Sequence, residues 1–196
     1  MRTTLFVCSS ILLASVACGG GGGTPEGAAT PTAATANATP GDSTLPKPAD
    51  HPESDKVTWK KDAKSCHPST AVTGDLTAAA TGIANTCMAG GATKLHQVGS
   101  PTNGQGGPGA MVQSIPLKAQ ANHCYRIFGI AEATVKDFDI AVMDSAGKSA
   151  GEDLTDSNDA IVLEDGEICF KADDDVNVNA AVAAGSGKWS VEIWSD

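Results

Sequence analysis

The sequence predicts an all-β protein: an antiparallel sandwich or barrel in its C-terminal half, preceded by a short disulfide-tied segment and a disordered linker. Three observations lead there. Between residues 110 and 196, short apolar stretches alternate with small or charged residues at the period of two that a half-buried strand requires. Turn residues punctuate those stretches at close spacing. Four cysteines remain beyond the N-terminal leader, an even count that suits disulfides in an exported domain.

Residues 1–17 are laid out as a secretory signal peptide. Met1-Arg2 is followed by an apolar run through Leu5, Phe6, Val7, Ile11, Leu12 and Leu13, and small residues lead into Cys18. A Cys at this point resembles a bacterial lipoprotein signal, in which that Cys becomes the lipidated first residue. Val16 and Ala17 fit that pattern, and Ser15 stands where an aliphatic residue is usual. The resemblance implies lipidation of Cys18, a membrane anchor, and a location on the outer membrane or cell surface. An ordinary leader cleaved near Ala17, releasing a periplasmic or secreted protein, is the alternative. The apolar run is shorter than the roughly 20 residues of a transmembrane span. Cys8 lies inside the leader and needs no role.

Residues 18–55 read as a flexible tether. Gly19 to Gly23 open it, Thr, Pro and Ala dominate it, and no aromatic residue occurs between Phe6 and Trp59. Such a stretch cannot bury enough apolar surface to offset its ordering entropy. It would span on the order of 35 Å if flexible. Residues 56–109 read as an irregular, partly helical extension. Leu76, Ala80, Ile83 and Cys87 follow a helical repeat, and Asp75 is placed to cap it. Gly99 to Gly109, with five Gly and two Pro in eleven residues, reads as a loop. Among Cys66, Cys87, Cys124 and Cys169 three pairings are open. The favoured one is a local Cys66–Cys87 bond, with Cys124–Cys169 joining two strands.

Strands are expected at Met111–Leu117, Cys124–Ile130, Asp137–Val142, Ile161–Leu163, Glu167–Lys171, Val176–Val182 and Trp189–Ile193. The turns Asp144-Ser145-Ala146-Gly147, Asp165-Gly166 and Gly185-Ser186-Gly187 have the right chemistry to join them. About seven short strands with little helical pattern point to a sandwich or barrel.

The segments Cys124–Gly129, Asp137–Asp144 with Ala146-Gly147, Glu164–Phe170 and Gly185–Ile193 together resemble the bacterial pre-peptidase C-terminal domain. Trp189 stands where that family usually has Tyr. The resemblance covers residues 110–196 and implies a jelly-roll-like β-sandwich without catalytic activity, which binds glycans or proteins or assists an attached enzyme. No peptidase accompanies it here, so an accessory role to an enzyme in the same chain is not expected. The whole layout of leader, Gly run, Thr/Pro linker and four-Cys domain resembles lipoproteins of myxobacterial type.

The formal net charge is −10. This argues against nucleic acid and against electrostatic docking to anionic membranes. The acidic residues also supply the candidate metal ligands. Asp137, Asp139 and Asp144 follow one strand and its turn, Asp173, Asp174 and Asp175 sit at another strand end, and Glu152, Asp153 and Asp156 occupy a loop. Ca²⁺ takes about six to eight oxygens from such loops, but the Asp-x-Asp-x-Asp-Gly pattern is missing. A solvated acidic edge that discourages aggregation explains the same residues. His51, His67, His96 and His123 lack zinc-site spacing. No Ser lies in Gly-x-Ser-x-Gly, and the Gly104–Gly109 run lacks a phosphate-loop ending. Trp189 shares its alternation with Val191 and Ile193 and is read as core. Trp194, on the opposite face, is the one candidate for stacking on a ligand, with packing over a sheet edge at the chain's end the favoured reading.

The reading that follows is a noncatalytic, surface-tethered binding or interaction module. It needs no cofactor, its membrane contact is made through Cys18, and its ligand is a glycan or an envelope protein. A purely structural envelope lipoprotein is the alternative, and a secreted hydrolase ranks third.

Overall fold

The computed structural model describes residues 52–61, 66, 72, 74–88, 94–153 and 155–196. The leader, the tether up to residue 51 and the lipidation candidate Cys18 lie outside the described residues. The remaining chain forms two antiparallel sheets packed face to face, with one helix laid over the outside of the larger.

In chain order the elements are β1 (Val57–Lys61), α1 (Leu76–Met88), β2 (His96–Gln97), β3 (Thr102–Gly106), β4 (Gln113–Ala119), β5 (Cys124–Ala131), β6 (Val135–Met143), β7 (Ser149–Glu152), β8 (Asp159–Ile161), β9 (Gly166–Phe170), β10 (Asp174–Gly185) and β11 (Gly187–Ser195). The larger sheet runs β1-β9-β5-β11-β2, with β3 also pairing β11 and β8 also pairing β5. The smaller runs β4-β10-β6-β7. This is the β-sandwich expected from the alternation.

Alternation decides which side chains meet between the sheets. Tyr125 and Ile127 of β5, and Trp189, Val191 and Ile193 of β11, face Phe138, Ile140 and Val142 of β6 and Val176, Val178 and Val182 of β10. Phe138 and Trp189 stack with centroids 5.5 Å apart. Two glycines make room for that pair. A Cβ on Gly129 would lie 2.7 Å from Phe138 and 2.6 Å from Ile140, and one on Gly104 would collide with the Trp189 ring. Turn geometry also asks for glycine at Gly147 (φ 75°) and Gly185 (φ 82°).

The second core lies outside the larger sheet. Asp75 caps α1, its Oδ1 accepting the Thr77 and Ala78 backbone N–H groups at 3.0 and 3.2 Å. Ala80, Ile83 and Ala84 share one helical face and pack on Phe128, Ile130 and Ile161, with Trp194 at the margin. Cys66 and Cys87 are disulfide-bonded, which ties the last turn of α1 to the preceding segment. Cys124 and Cys169 are bonded across the β5–β9 register. Among the described residues no helix is long and apolar enough to cross a membrane. The two disulfides suit an oxidising environment.

Two expectations need correction. Residues 56–109 are not merely an irregular extension: they supply β1, β2 and β3 to the larger sheet. Val57 and Trp59 of β1 sit opposite Phe170 and Ile168 of β9. The Gly/Pro-rich stretch 99–109 is not wholly a loop either, since Thr102–Gly106 pairs with Gly187–Val191. Gly104 there allows the strand to lie close against the Trp189 ring, while Gly99 and Gly109 hold positive φ at turns.

The two kinds of glycine should respond oppositely to the same change. Gly129→Ala is expected to destabilise by about 1–3 kcal/mol through overpacking. Gly82→Ala, exposed on α1 with nothing near its would-be Cβ, is expected to stabilise by about 0.5–1 kcal/mol. Urea midpoints of the two variants check both signs.

Candidate functional site

The acidic candidates fall into two groups at different places. Asp173, Asp174 and Asp175 line an open depression of about 420 Å³ with Lys118, Gln120 and Ser145. Asp144 adjoins it from the β6–β7 turn. All four carboxylates have protein partners. Lys56 Nζ donates to Asp174 Oδ1 at 2.9 Å and to Ser145 Oγ at 2.5 Å. Ser145 N–H reaches the other Asp174 oxygen at 3.2 Å. Asp144 accepts from Ser54 Oγ at 2.6 Å and from the Ala146 and Lys148 N–H groups at 2.8 and 2.9 Å. Asp173 accepts from Ala121 N–H, and Asp175 pairs with Lys118.

The electrostatics follow from those partners. Burial pushes the Asp144 and Asp174 carboxyls up, but hydrogen bonds from Ser54 and Ser145 and the Lys56 charge bring both below the usual range. The hydrogen bond to Asp174, offset in part by burial, raises the Lys56 ammonium. Lys56 clamps the incoming chain to two turns through Asp174 and Ser145.

The second group brings Asp137 and Asp139, on the outward side of β6, together with Asp153 and Asp156 from the crossover between β7 and β8. Burial, then the neighbouring Asp137, pushes Asp139 up to about 6. Burial pushes Asp153 up to about 7, against hydrogen bonds from the Ile161 N–H and Thr155. Burial and Asp156 raise Asp137. Glu152, expected in a loop, instead ends β7, where it pairs with Ala141 of β6 and is buried.

The other candidates are placed as follows. Trp194 is not free to stack on a ligand. It is half-buried at the edge of α1, and its Nε1 donates to Glu192 Oε2 at 3.1 Å. The reason is that α1 covers the face that alternation assigns to solvent. Glu192 and Ser190 are buried there too, with Thr81 donating to Glu192 Oε1 at 2.6 Å. Trp189 is core, and Trp59 packs at its margin. His51 and His67 lie outside the described residues. His96 is exposed on β2, and His123 Nδ1 lies 2.8 Å from the Asp196 backbone oxygen. Ser186 is exposed in the β10–β11 turn, with no His or acid hydrogen-bonded to it among the described residues.

One trio among the described residues, Cys124, Glu167 and Cys169, holds its potential ligand atoms within 4.8 Å of one another. The two sulfurs are bonded to each other, and Glu167 pairs with Lys60 at 3.2 Å. The oxidised trio offers no thiolate to a metal.

Sequence reasoning missed the outer face of the smaller sheet. Ser114, Pro116 and Lys118 of β4 lie in register with Asn179, Asn177 and Asp175 of β10. Met143 continues the Asn177 row. Ser114 Oγ donates to Asn177 Oδ1 at 3.1 Å. A shallow cleft of about 430 Å³ follows this seam, lined by Pro116, Leu117, Lys118, Asp175, Val176 and Asn177. No described helix or strand packs over it. The signal was available: Asn177 and Asn179 alternate with Val176 and Val178, which gives a strand with an amide row facing away from the core.

Lys56→Met should lower stability at neutral pH. Asp144 and Asp174, with folded values below their unfolded ones, contribute stability above about pH 4 and lose it as pH falls through the folded values. The gap between wild type and variant is therefore expected at pH 6 and should close below about pH 3. Urea titrations followed by circular dichroism at the two pH values measure it.

No protein-family model matches this chain, and no curated protein matches it.

Proposed function

We propose that this protein is a noncatalytic, exported interaction module, held to a membrane through Cys18, that binds an envelope polysaccharide on the outer face of its smaller sheet. The observation that carries the reading is the difference between the two outer faces. Over β5, β8 and β11 the larger sheet has its outer face covered by α1, whereas the smaller presents Ser114, Lys118, Asp175, Asn177 and Asn179 side by side.

The chemistry of that face suits a hydroxyl-rich ligand. Amides, a hydroxyl and a Lys–Asp pair alternate donors and acceptors at the spacing of neighbouring strands, about 4.8 Å. An extended sugar chain can meet several of them at once along the β4–β10 seam. The face carries no aromatic ring, so each sugar contributes hydrogen bonds rather than stacking, and affinity depends on the number of sugars engaged. The resemblance to the pre-peptidase C-terminal domain and the signal-like residues 1–18 support the same reading.

Binding of the mature chain to a panel of envelope polysaccharides, measured by calorimetry, tests it. Asn177→Ala with Asn179→Ala is expected to weaken binding about tenfold, each lost hydrogen bond being worth about 0.5–1.5 kcal/mol. The melting temperature should hardly change, because both side chains point away from the core. If no polysaccharide binds, or the double variant binds as well as wild type, the reading fails and the structural-lipoprotein alternative takes its place.

A further inference from the structure

We propose that Cys124, Glu167 and Cys169 form a redox-gated site for a borderline-soft divalent cation such as Zn²⁺, closed while the two sulfurs are bonded and opened when a dithiol reduces them. The ion then holds β5 to β9 in place of the covalent bond.

The sheet register puts the three ligands on one face. Cys124 of β5 lies directly opposite Cys169 of β9. Glu167 stands two residues before Cys169, so alternation returns its side chain to the same side. That is the outer side, because the neighbouring Tyr125 and Ile168 point into the core between the sheets. The two sulfurs and a carboxylate oxygen of Glu167 lie within 4.8 Å of one another. Around a tetrahedral ion with bonds of about 2.0–2.3 Å, ligand atoms stand roughly 3.3–3.8 Å apart. The sulfurs need only rotate apart and the carboxylate swing in, which are movements of side chains rather than of strands.

The donor set suits one class of ion. Thiolates select Zn²⁺ and its like over Ca²⁺ or Mg²⁺, and three protein ligands leave the fourth tetrahedral position to water. Glu167 points the same way. It is 4% exposed, and the Lys60 ammonium that pairs with it at 3.2 Å is itself half-exposed. Burying a carboxylate beside two sulfurs is costly, and service as a third ligand is the use its position gives it.

The opening step balances. One thiolate of the dithiol attacks Sγ of Cys169, the less buried of the two cysteines. The S–S bond breaks and Cys124 leaves as the free thiol. The second thiol of the reductant then displaces Cys169 from the mixed disulfide. Two electrons and two protons pass from the dithiol, which ends as a disulfide, to the cysteines, which end as thiols. The cation releases both thiol protons to solvent as it binds.

The place of the site gives the ion something to hold. β9 meets β5 through two register pairs, Cys124–Cys169 and Tyr125–Ile168. Asn122 N–H to Phe170 O and Phe170 N–H to His123 O, at 2.7 and 3.0 Å, flank them. β1 is attached in turn to β9. The sulfur link therefore helps to secure the β1–β9 edge, and an ion bound at the same point secures it when the bond is gone.

The mature chain, reduced by a dithiol and freed of it without oxygen, is titrated with Co²⁺ as a coloured stand-in for Zn²⁺. A sulfur-to-cobalt charge-transfer band should appear, and Zn²⁺ should raise the melting temperature of the reduced protein with concentration. The oxidised protein should show neither. Cys124→Ser/Cys169→Ser should lose the band, and Glu167→Gln, which keeps both cysteines, should bind Co²⁺ at least about tenfold more weakly. Should the double variant fail to fold, Glu167→Gln still decides. The proposal falls if the Cys124–Cys169 bond of the folded chain resists the dithiol, or if the reduced protein gives no band. It falls equally if the band survives in the double variant and so belongs to other thiols, or if Glu167→Gln binds as tightly as wild type.

Discussion

Everything in this fold is arranged around burying β5 on both sides. All eight of its residues are buried, which an ordinary two-layer sandwich would not achieve. Tyr125, Ile127 and Gly129 face the smaller sheet, and Phe128 and Ile130 face outward into α1. Without a cover those outward aromatic and aliphatic side chains would be a large exposed apolar patch. The helix, its Asp75 cap and the Cys66–Cys87 bond all serve that requirement. So do Ser190 and Glu192, which look like solvent-facing residues on β11 and instead sit beneath the helix. The helix covers the centre of the larger sheet, whereas no described helix packs on the outer face of the smaller one.

The charge distribution repeats this asymmetry. At one end, carboxylates gather round Lys56 and are stabilised as anions. On the far side of β6, carboxylates gather with no cation and are stabilised as acids. The two groups oppose each other as pH changes, one favouring the fold above the acid range and the other below neutrality. Mildly acidic conditions satisfy both. A net charge of −10 conveys none of this, because it counts the carboxylates without saying which have partners.

The strands from β4 onward, β7 excepted, could be read from alternation and turn residues, with boundaries displaced by a few residues, and α1 from its repeat and capping Asp; Ser149–Glu152 becomes a strand only through its pairing with β6. Where the reading fell short, the cause was contact over a distance. The pattern Val57-Thr58-Trp59 does alternate, yet only the partner strand β9, more than a hundred positions away, makes it a strand. Gly104 and Gly106 look like loop residues until the Trp189 ring is placed over them. Trp194 follows the right alternation for exposure and is withdrawn from solvent by a helix that alternation on β11 cannot foresee. The acidic residues were visible as candidates. Their sorting into a lysine-bound group and a group whose carboxyls burial pushes up depends on where Lys56 and the crossover lie, and chain order does not reveal that.

The path by which the chain joins the domain has a mechanical meaning. Residues 53–56 bond to Ser149, Asp144 and Asp174, all on or beside the smaller sheet, before β1 is laid into the larger one. A pull on the chain ahead of residue 53 therefore does not act on an edge strand of one sheet alone. It meets bonds from residues 53–56 to Ser149, Asp144 and Asp174 before it reaches the β1–β9 pairing. The same few residues that lead into the fold therefore join its two layers before β1 is laid against β9.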